Sequence, residues 1–332
     1  MLVKILKRIL CTFVALVLLS LAWYGLQRLL AGNRQVQVTS ISVEATAASQ
    51  SESLKVGAYN IAHGRGGRLG ESNWTSHLRE KEEEHLSKIA AQIAEAGLDI
   101  VVLNEVDFDA NWSNNRNQAH FIAENAGFPH VAMLHNIDIV LPFFKLQFGN
   151  AILSKLPLKD VQVIELPPVK EWEVPLAGKK NALEATVDFH GRQISIVAIH
   201  IETRDQTVRM ESVQILLDRI NQTNKPYLLL GDFNSQRGQQ GTSTTAVETL
   251  ITTGGFTTDA VTESWKTFPS ESPRGGIDWI MVSAPLTTSN SRIINSPLSD
   301  HLMVTSEVSF TDESMASELT SSLLLDKKTA EK

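Results

Sequence analysis

The chain has 332 residues, 42% of them hydrophobic and 20% charged, which suffices for one enzyme-sized core or two smaller ones. A formal net charge of -7 excludes a protein that grips nucleic acid through a broad basic surface, although a bound cation would supply positive charge locally. The single cysteine, Cys11, excludes an intramolecular disulfide and any zinc site built on cysteines.

The uncharged run Ile9 to Leu26, ILCTFVALVLLSLAWYGL, is long enough to cross a bilayer as a slightly short helix. Lys4, Lys7 and Arg8 precede it, and Trp23 and Tyr24 fall where an interfacial aromatic belt belongs. This reads as a short basic N-terminus over 1–8 and a single-pass anchor over 9–30, with the rest of the chain extracytoplasmic. Arg28 and Arg34 narrow the charge bias that sets this topology. A cleaved signal peptide is the competing reading, but no small-x-small site directly follows the run. Residues 31–53 turn polar and small and read as a linker. Residues 311–332 are Ser-, Glu- and Lys-rich and read as a disordered tail, with Leu323 to Leu325 as an apolar patch without assignment. The folded unit is expected over 54–310.

Within it, Leu54 to Ile61 has strand character. Leu86, Ile89, Ala90, Ile93 and Ala94 recur at helical spacing and are closed by Gly97. Ile100 to Leu103 is a fully apolar strand, and a weaker helix covers roughly 115–126. Strands come next at 151–153, 161–164, 182–189 and 193–199, the last two joined by a hairpin at Gly191. Met210, Val213, Leu216, Leu217 and Ile220 mark a helix, and Pro226 leads into a strand over 227–230. Strands at 277–282 and 302–308 complete the set. Strands outnumber helices, which suits sheets covered by helices better than a purely alternating parallel fold.

The informative pattern lies at the end of each apolar strand: Asn60 after VGAY, Asn104-Glu105 after VVL, His200 after SIVAI, and Asp232-Phe233-Asn234 after LLLG. A sheet can aim several strand ends at one crevice, so four such cases point to a constructed site. Each also has a bland reading: Glu105 as a solvated strand end, Asp232 as a turn former, His200 as a core histidine, Asp278 as a polar strand start, and Ser299-Asp300-His301 as a cap or loop. A hard divalent cation needs only one or two carboxylates besides substrate phosphate, and Glu105 and Asp300 are suitable.

The segments LKVGAYNIAHG, VVLNEVD, FGNAILSKLPL, IVAIHIET, LLLGDFNS, GGIDWIMVS and SDHLMV resemble, in order and rough spacing, those of the endonuclease/exonuclease/phosphatase superfamily. The resemblance covers about 54–310. It implies an α/β fold, a four-layered DNase-I-like sandwich of two mixed β-sheets face to face with helices outside. It also implies a metal-dependent phosphoester hydrolase using Mg²⁺ or Mn²⁺. Carried over by residue, Glu105 resembles the principal metal ligand, with Asn60 and Asp300 nearby. Asp232 resembles the group that orients or deprotonates water, and Asn234 the one that holds a phosphate oxygen. His200 and His301 resemble the pair at the scissile phosphate, with Asp278 orienting His301. Hydrolysis needs such a positioned nucleophile, a stabiliser for charge on the phosphoryl oxygens, and help for the leaving oxygen.

The superfamily motifs report the reaction and leave the substrate open. Lipid head groups or small phosphoesters lead; an extracytoplasmic DNA or RNA nuclease is the alternative, against which stands the lack of basic, aromatic-interleaved stretches. A scaffold that has lost catalysis ranks last, because every expected polar position is filled. The expected partners are a phosphoester and, through the N-terminal helix, a membrane; the chain is expected to act as a monomer. Three local features stay open. His63 either contacts substrate or is an exposed loop residue. The loop 64–70, with Arg65 and Arg68, either clamps a phosphate or does nothing specific. The apolar run Leu141 to Leu146 is either a lipid-facing lip or packed on the core. Lys180 and Asn181 stand where many relatives carry an arginine, which leaves that phosphate contact in question.

Overall fold

A computed structural model describes residues 1–43, 51–66, 72–238, 244–261 and 263–311. The expected tail from 312 onward and Arg68 lie outside the described residues. The chain opens with α1 (Leu2–Arg34), a helix that buries no residue, as its continuous apolar run requires if nothing in the protein covers it. It passes directly into β1 (Val36–Ser40) and then β2 (Leu54–Asn60). Next come α2 (Ser76–Glu95), β3 (Ile100–Ala110), α3 (Gln118–Ala126), β4 (His130–Leu141), β5 (Phe144–Ser154) and β6 (Lys159–Ile164). Then follow β7 (Ala182–Phe189), β8 (Arg192–His200), α4 (Gln206–Ile220), β9 (Tyr227–Asp232) and α5 (Ala246–Thr252). Last are β10 (Asp278–Val282), β11 (Leu286–Ile294) and β12 (Met303–Phe310).

The strands form two mixed sheets, one ordered β1-β4-β5-β3-β2-β12-β11 and the other β10-β9-β8-β7-β6. Alternation along each strand feeds two cores. Ile100 and Val102 of β3 pack with Ala185, Ile196 and Leu229 between the sheets. Val101 and Leu103 of the same strand pack outward with Leu86, Ile89 and Ile122 of α2 and α3. On the far side, Val213, Leu216, Val247 and Leu250 bring α4 and α5 onto the smaller sheet. The layers are therefore helix, sheet, sheet, helix, the expected α/β sandwich.

Each sheet holds one parallel pair joined by a helix: β2 to β3 through α2, and β8 to β9 through α4. A parallel pair needs such a crossover, and it leaves both strands ending on the same sheet edge.

Three expectations change. The linker is partly a strand, since Val36–Ser40 pairs antiparallel with β4 and closes the edge of the larger sheet. Its alternating Val-Gln-Val-Thr is a strand signal too short to stand out beside the anchor. The run Leu141 to Leu146 is neither core nor loose connection: Pro142 and Phe143 form a two-residue turn at the tip of the β4–β5 hairpin. β4 and β11 are strands with mixed polarity that apolar patterning passes over.

Candidate active site

The two parallel pairs end at one place. Asn60 lies opposite Asn104 in the larger sheet, and Asp232 lies between His200 and Asp278 in the smaller one. Hydrogen bonds join the two edges. The Asn60 amide donates to Asp232 Oδ2 at 3.1 Å, and Asn104 Oδ1 accepts the Asp232 backbone N–H at 3.0 Å. The end of β9 at Asp232 depends on Gly231, whose φ is +137° and where a Cβ would lie 2.0 Å from the Ile199 carbonyl of β8.

Asp232 is the hub. Its Oδ2 stands 3.7 Å from His200 Nε2 and 3.8 Å from His301 Nε2. Its Oδ1 accepts the backbone N–H of Asn234 at 2.8 Å. Burial raises the pKa of Asp232 to about 6, opposed chiefly by His301. His301 presents its other nitrogen, Nδ1, to Asp278 at 3.0 Å, and Thr267 Oγ1 donates to the same Asp278 oxygen at 2.6 Å. Burial works against a charge on His301, but Asp278 and Asp232 more than offset it and raise its pKa to about 10. Asp278, His301 and Asp232 thus form a buried chain in which one acid fixes the ring and the ring faces a second carboxylate.

Glu105 reaches the cleft by a bulge. It does not end its strand; β3 runs on to Ala110, and the pairing with β5 slips between Asn104 and Val106. Glu105 takes φ +52°, a strained conformation for a glutamate, and a bulge of this kind re-aims a side chain beside a site. Its carboxylate lies 3.5 Å from His63 Nε2 and 3.9 Å from His200 Nε2. Burial pushes its pKa up, but His63, His200, Lys180 and His301 together bring it down to about 2. His63 is buried, which overturns the exposed-loop reading, and its Nδ1 meets Asp107 at 2.7 Å. Trp112 Nε1 donates to the other Asp107 oxygen at 2.7 Å. His200 is packed against Lys180, with Nζ 2.8 Å from Nε2. Burial first and then the lysine hold His200 well below the usual histidine pKa.

Asn234, at φ +45°, donates its side-chain amide to the Ile201 carbonyl at 3.1 Å. Asp300 is ion-paired to Arg65 at 2.9 Å. A cavity of about 260 Å³ opens beside these groups, lined by Glu105, Phe148, Lys180, His200 and Arg204 among others. The edge between the two sheets therefore gathers carboxylates, histidines and a lysine around one cavity, the kinds of group that acid–base and metal-assisted chemistry use.

Residues 57–301 match the model of the Endonuclease/Exonuclease/phosphatase family. The chain belongs to that family. Among solved structures, an endonuclease/exonuclease/phosphatase from Beutenbergia cavernae DSM 12333 is similar at 21% identity and TM-score 0.59, over 78% of this chain and 72% of that one. The mannosyl-6-phosphatase Bt3783 of Bacteroides thetaiotaomicron VPI-5482 aligns over 77% of this chain and 100% of its own, at 16% identity and TM-score 0.55. Sphingomyelinase C from Streptomyces griseocarneus aligns over 77% and 99%, at 16% identity and TM-score 0.53. Likeness at this level is a likeness of fold. No curated protein sequence matches the chain.

The donor set of this family member fits a hard divalent cation. Glu105 stays ionised although its surroundings are buried, and Asp232 lies across the same histidine from it. Asp232, Asp278 and His301 also bring one ligand atom each within 4.8 Å of one another. Asp278, however, is committed to His301 and Thr267, so that trio serves better as the buried chain of contacts than as a cage. Asn60 has both ends of its amide engaged, by Asp232 and by the Ala62 N–H, and in this arrangement it braces Asp232. All eight residues expected from sequence (Asn60, Glu105, His200, Asp232, Asn234, Asp278, Asp300 and His301) fall at this edge of the sandwich.

Sequence reasoning misses four partners. Asp107 stands inside VVLNEVD, where Glu105 already supplies the carboxylate that the chemistry asks for. Thr267 carries no signal at all, and Lys180 stands out only as a departure from an arginine. Arg65 is more than a loop cation, since it is half-buried and holds Asp300.

Proposed function

We propose that this chain is a metal-dependent phosphoester hydrolase that uses Mg²⁺ or Mn²⁺, anchored by α1 in a membrane with its catalytic domain extracytoplasmic. The observation that carries the reading is Asp232, buried at the join of the two sheets and facing both His200 and His301 at under 4 Å. In this reading Glu105 would be the main metal ligand, helped by Asp300 on release from Arg65 and by the Asn60 amide oxygen on release from the Ala62 N–H. The cation would neutralise charge on the phosphoryl oxygens and acidify water.

The protein groups supply the rest. Asp232, its pKa raised by burial toward neutrality, takes the proton of the attacking water. His301, kept charged by Asp278, donates to a phosphoryl oxygen, and Lys180 adds a second positive group beside His200. Asn234 offers its remaining amide N–H to the same phosphate. His200, held neutral at physiological pH, donates or accepts according to which nitrogen carries its proton. Substrates are lipid head groups or small phosphoesters, in keeping with the anchor and the net charge of -7.

The test is hydrolysis of bis-p-nitrophenyl phosphate, p-nitrophenyl phosphate, plasmid DNA, RNA, sphingomyelin and phosphoinositides with Mg²⁺, Mn²⁺ or EDTA. Asp232→Asn and His301→Ala serve as controls. Turnover that needs both metal and these residues is expected; turnover indifferent to EDTA would remove the proposal. Preference for DNA or RNA would move the assignment to a nuclease of the same fold.

A further inference from the structure

The anchor and the catalytic domain are not joined by a flexible tether. Arg28 of α1 donates to the carbonyls of Pro175, Asp138 and Val174 at 2.9, 2.7 and 3.0 Å. Arg34 pairs with the Asp138 carboxylate at 3.0 Å, and its own carbonyl meets His135 of β4. Because β1 follows at once and is zipped to β4, the C-terminal end of α1 is held on the domain by backbone and side chains alike.

These contacts set a direction. Going from Arg34 back to Arg28 along the helix covers roughly 9 Å. The matching step on β4, from His135 to Asp138, covers about 10 Å. Helix and strand therefore run side by side, the strand advancing toward the N-terminal, apolar part of α1. Leu141 lies about 10 Å further along β4, level with roughly Leu21 and Ala22 of α1, and the hairpin turn beyond it reaches past Trp23 and Tyr24 alongside the apolar run. At that turn Phe143 is 97% exposed. Beside Arg28's acceptors, Trp172 and Leu176 are 62% and 48% exposed, and Lys170 lies over the Trp172 ring. Aromatic and aliphatic side chains with an adjacent lysine suit the head-group region of a bilayer. Ile137 and Phe148, paired on the same ribbon, line the catalytic cavity, as does Glu173 in the segment that Arg28 holds.

We propose that the β4–β5 tip around Phe143 and the segment Glu171–Leu176 dip into the leaflet that α1 enters, fixing the domain with one rim of its catalytic cavity on the bilayer surface. This rests on the reading of α1 as a retained anchor. It gives the apolar run at 141–146 an occupant, the bilayer, in place of the core.

The experiment uses the full chain in phosphatidylcholine/phosphatidylglycerol vesicles, with Phe143→Cys in a Cys11→Ser background carrying one environment-sensitive fluorophore. Ser289→Cys, exposed on β11 at the opposite edge of the larger sheet, is the control. The label at 143 should shift to the blue and be quenched by shallow spin-labelled lipid about threefold more than at 289. Arg28→Gln should float with the vesicles as before but lose much of that quenching. A protein that floats while the label at 143 stays as water-exposed as at 289 overturns the inference alone. Failure to float overturns the anchor, and the inference with it.

Discussion

His301 Nδ1 and Thr267 Oγ1 both reach the same oxygen of Asp278, at 3.0 and 2.6 Å, so one buried carboxylate fixes the orientation of the His301 ring while a hydroxyl fixes the carboxylate. Asp278→Asn keeps the shape and removes the charge. We expect kcat to fall about 10²–10⁴-fold with KM nearly unchanged, the range seen when an orienting acid is neutralised. A loss expressed in KM would assign Asp278 to substrate binding instead.

The raised pKa of His301 has a consequence for stability without metal. A histidine whose pKa is higher in the folded state stabilises fully below its unfolded value of about 6.5, and that contribution disappears as pH rises toward its folded value. In EDTA, the unfolding free energy of wild type minus that of His301→Gln should therefore be largest near pH 6 and shrink toward about 10. Urea melts across that range test it, and a difference that does not change with pH would contradict the assignment.

Glu105 is ionised across the whole physiological range, its pKa lying at about 2. Mn²⁺ should raise the melting temperature of the wild type, since an ion at a hundred times its Kd adds about 2.7 kcal/mol. Glu105→Gln should abolish that rise and the activity together. It should also lower the metal-free melting temperature at neutral pH because, against burial, His63, His200 and Lys180 stabilise the ionised carboxylate in the folded state. A variant still stabilised by Mn²⁺ would place the cation elsewhere.

Lys180 and His200 share a contact of 2.8 Å in a buried setting, and the lysine helps keep the ring neutral. Lys180→Met should raise the His200 pKa, read by NMR titration of the ring protons, and increase KM for an anionic substrate about tenfold. An unmoved His200 resonance would mean that burial alone sets its state.

Gly231→Ala tests the backbone beneath the hub. The added methyl meets the Ile199 carbonyl at 2.0 Å in a conformation that L-residues avoid. A destabilisation of about 3 kcal/mol and loss of activity are expected, checked by urea unfolding and turnover.

The sequence by itself determined the list of chemical groups and their order. Short-range periodicity marks strands such as Leu228 to Leu230 and helices such as Leu86 to Ala94, and ordered motifs carry the eight polar site residues. These signals lie within a few residues of one another, so they survive reading in one dimension. Three decisions belonged to the tertiary structure. Glu105 enters the cleft through a bulge opposite β5, Thr267 comes to donate to Asp278 and Asp107 to accept from His63 only once loops and strands are packed, and Arg28 and Arg34 turn an expected linker into a docked joint. Each depends on contacts between residues distant in the chain, where side-chain reach and backbone register decide the outcome and local pattern carries no trace of it.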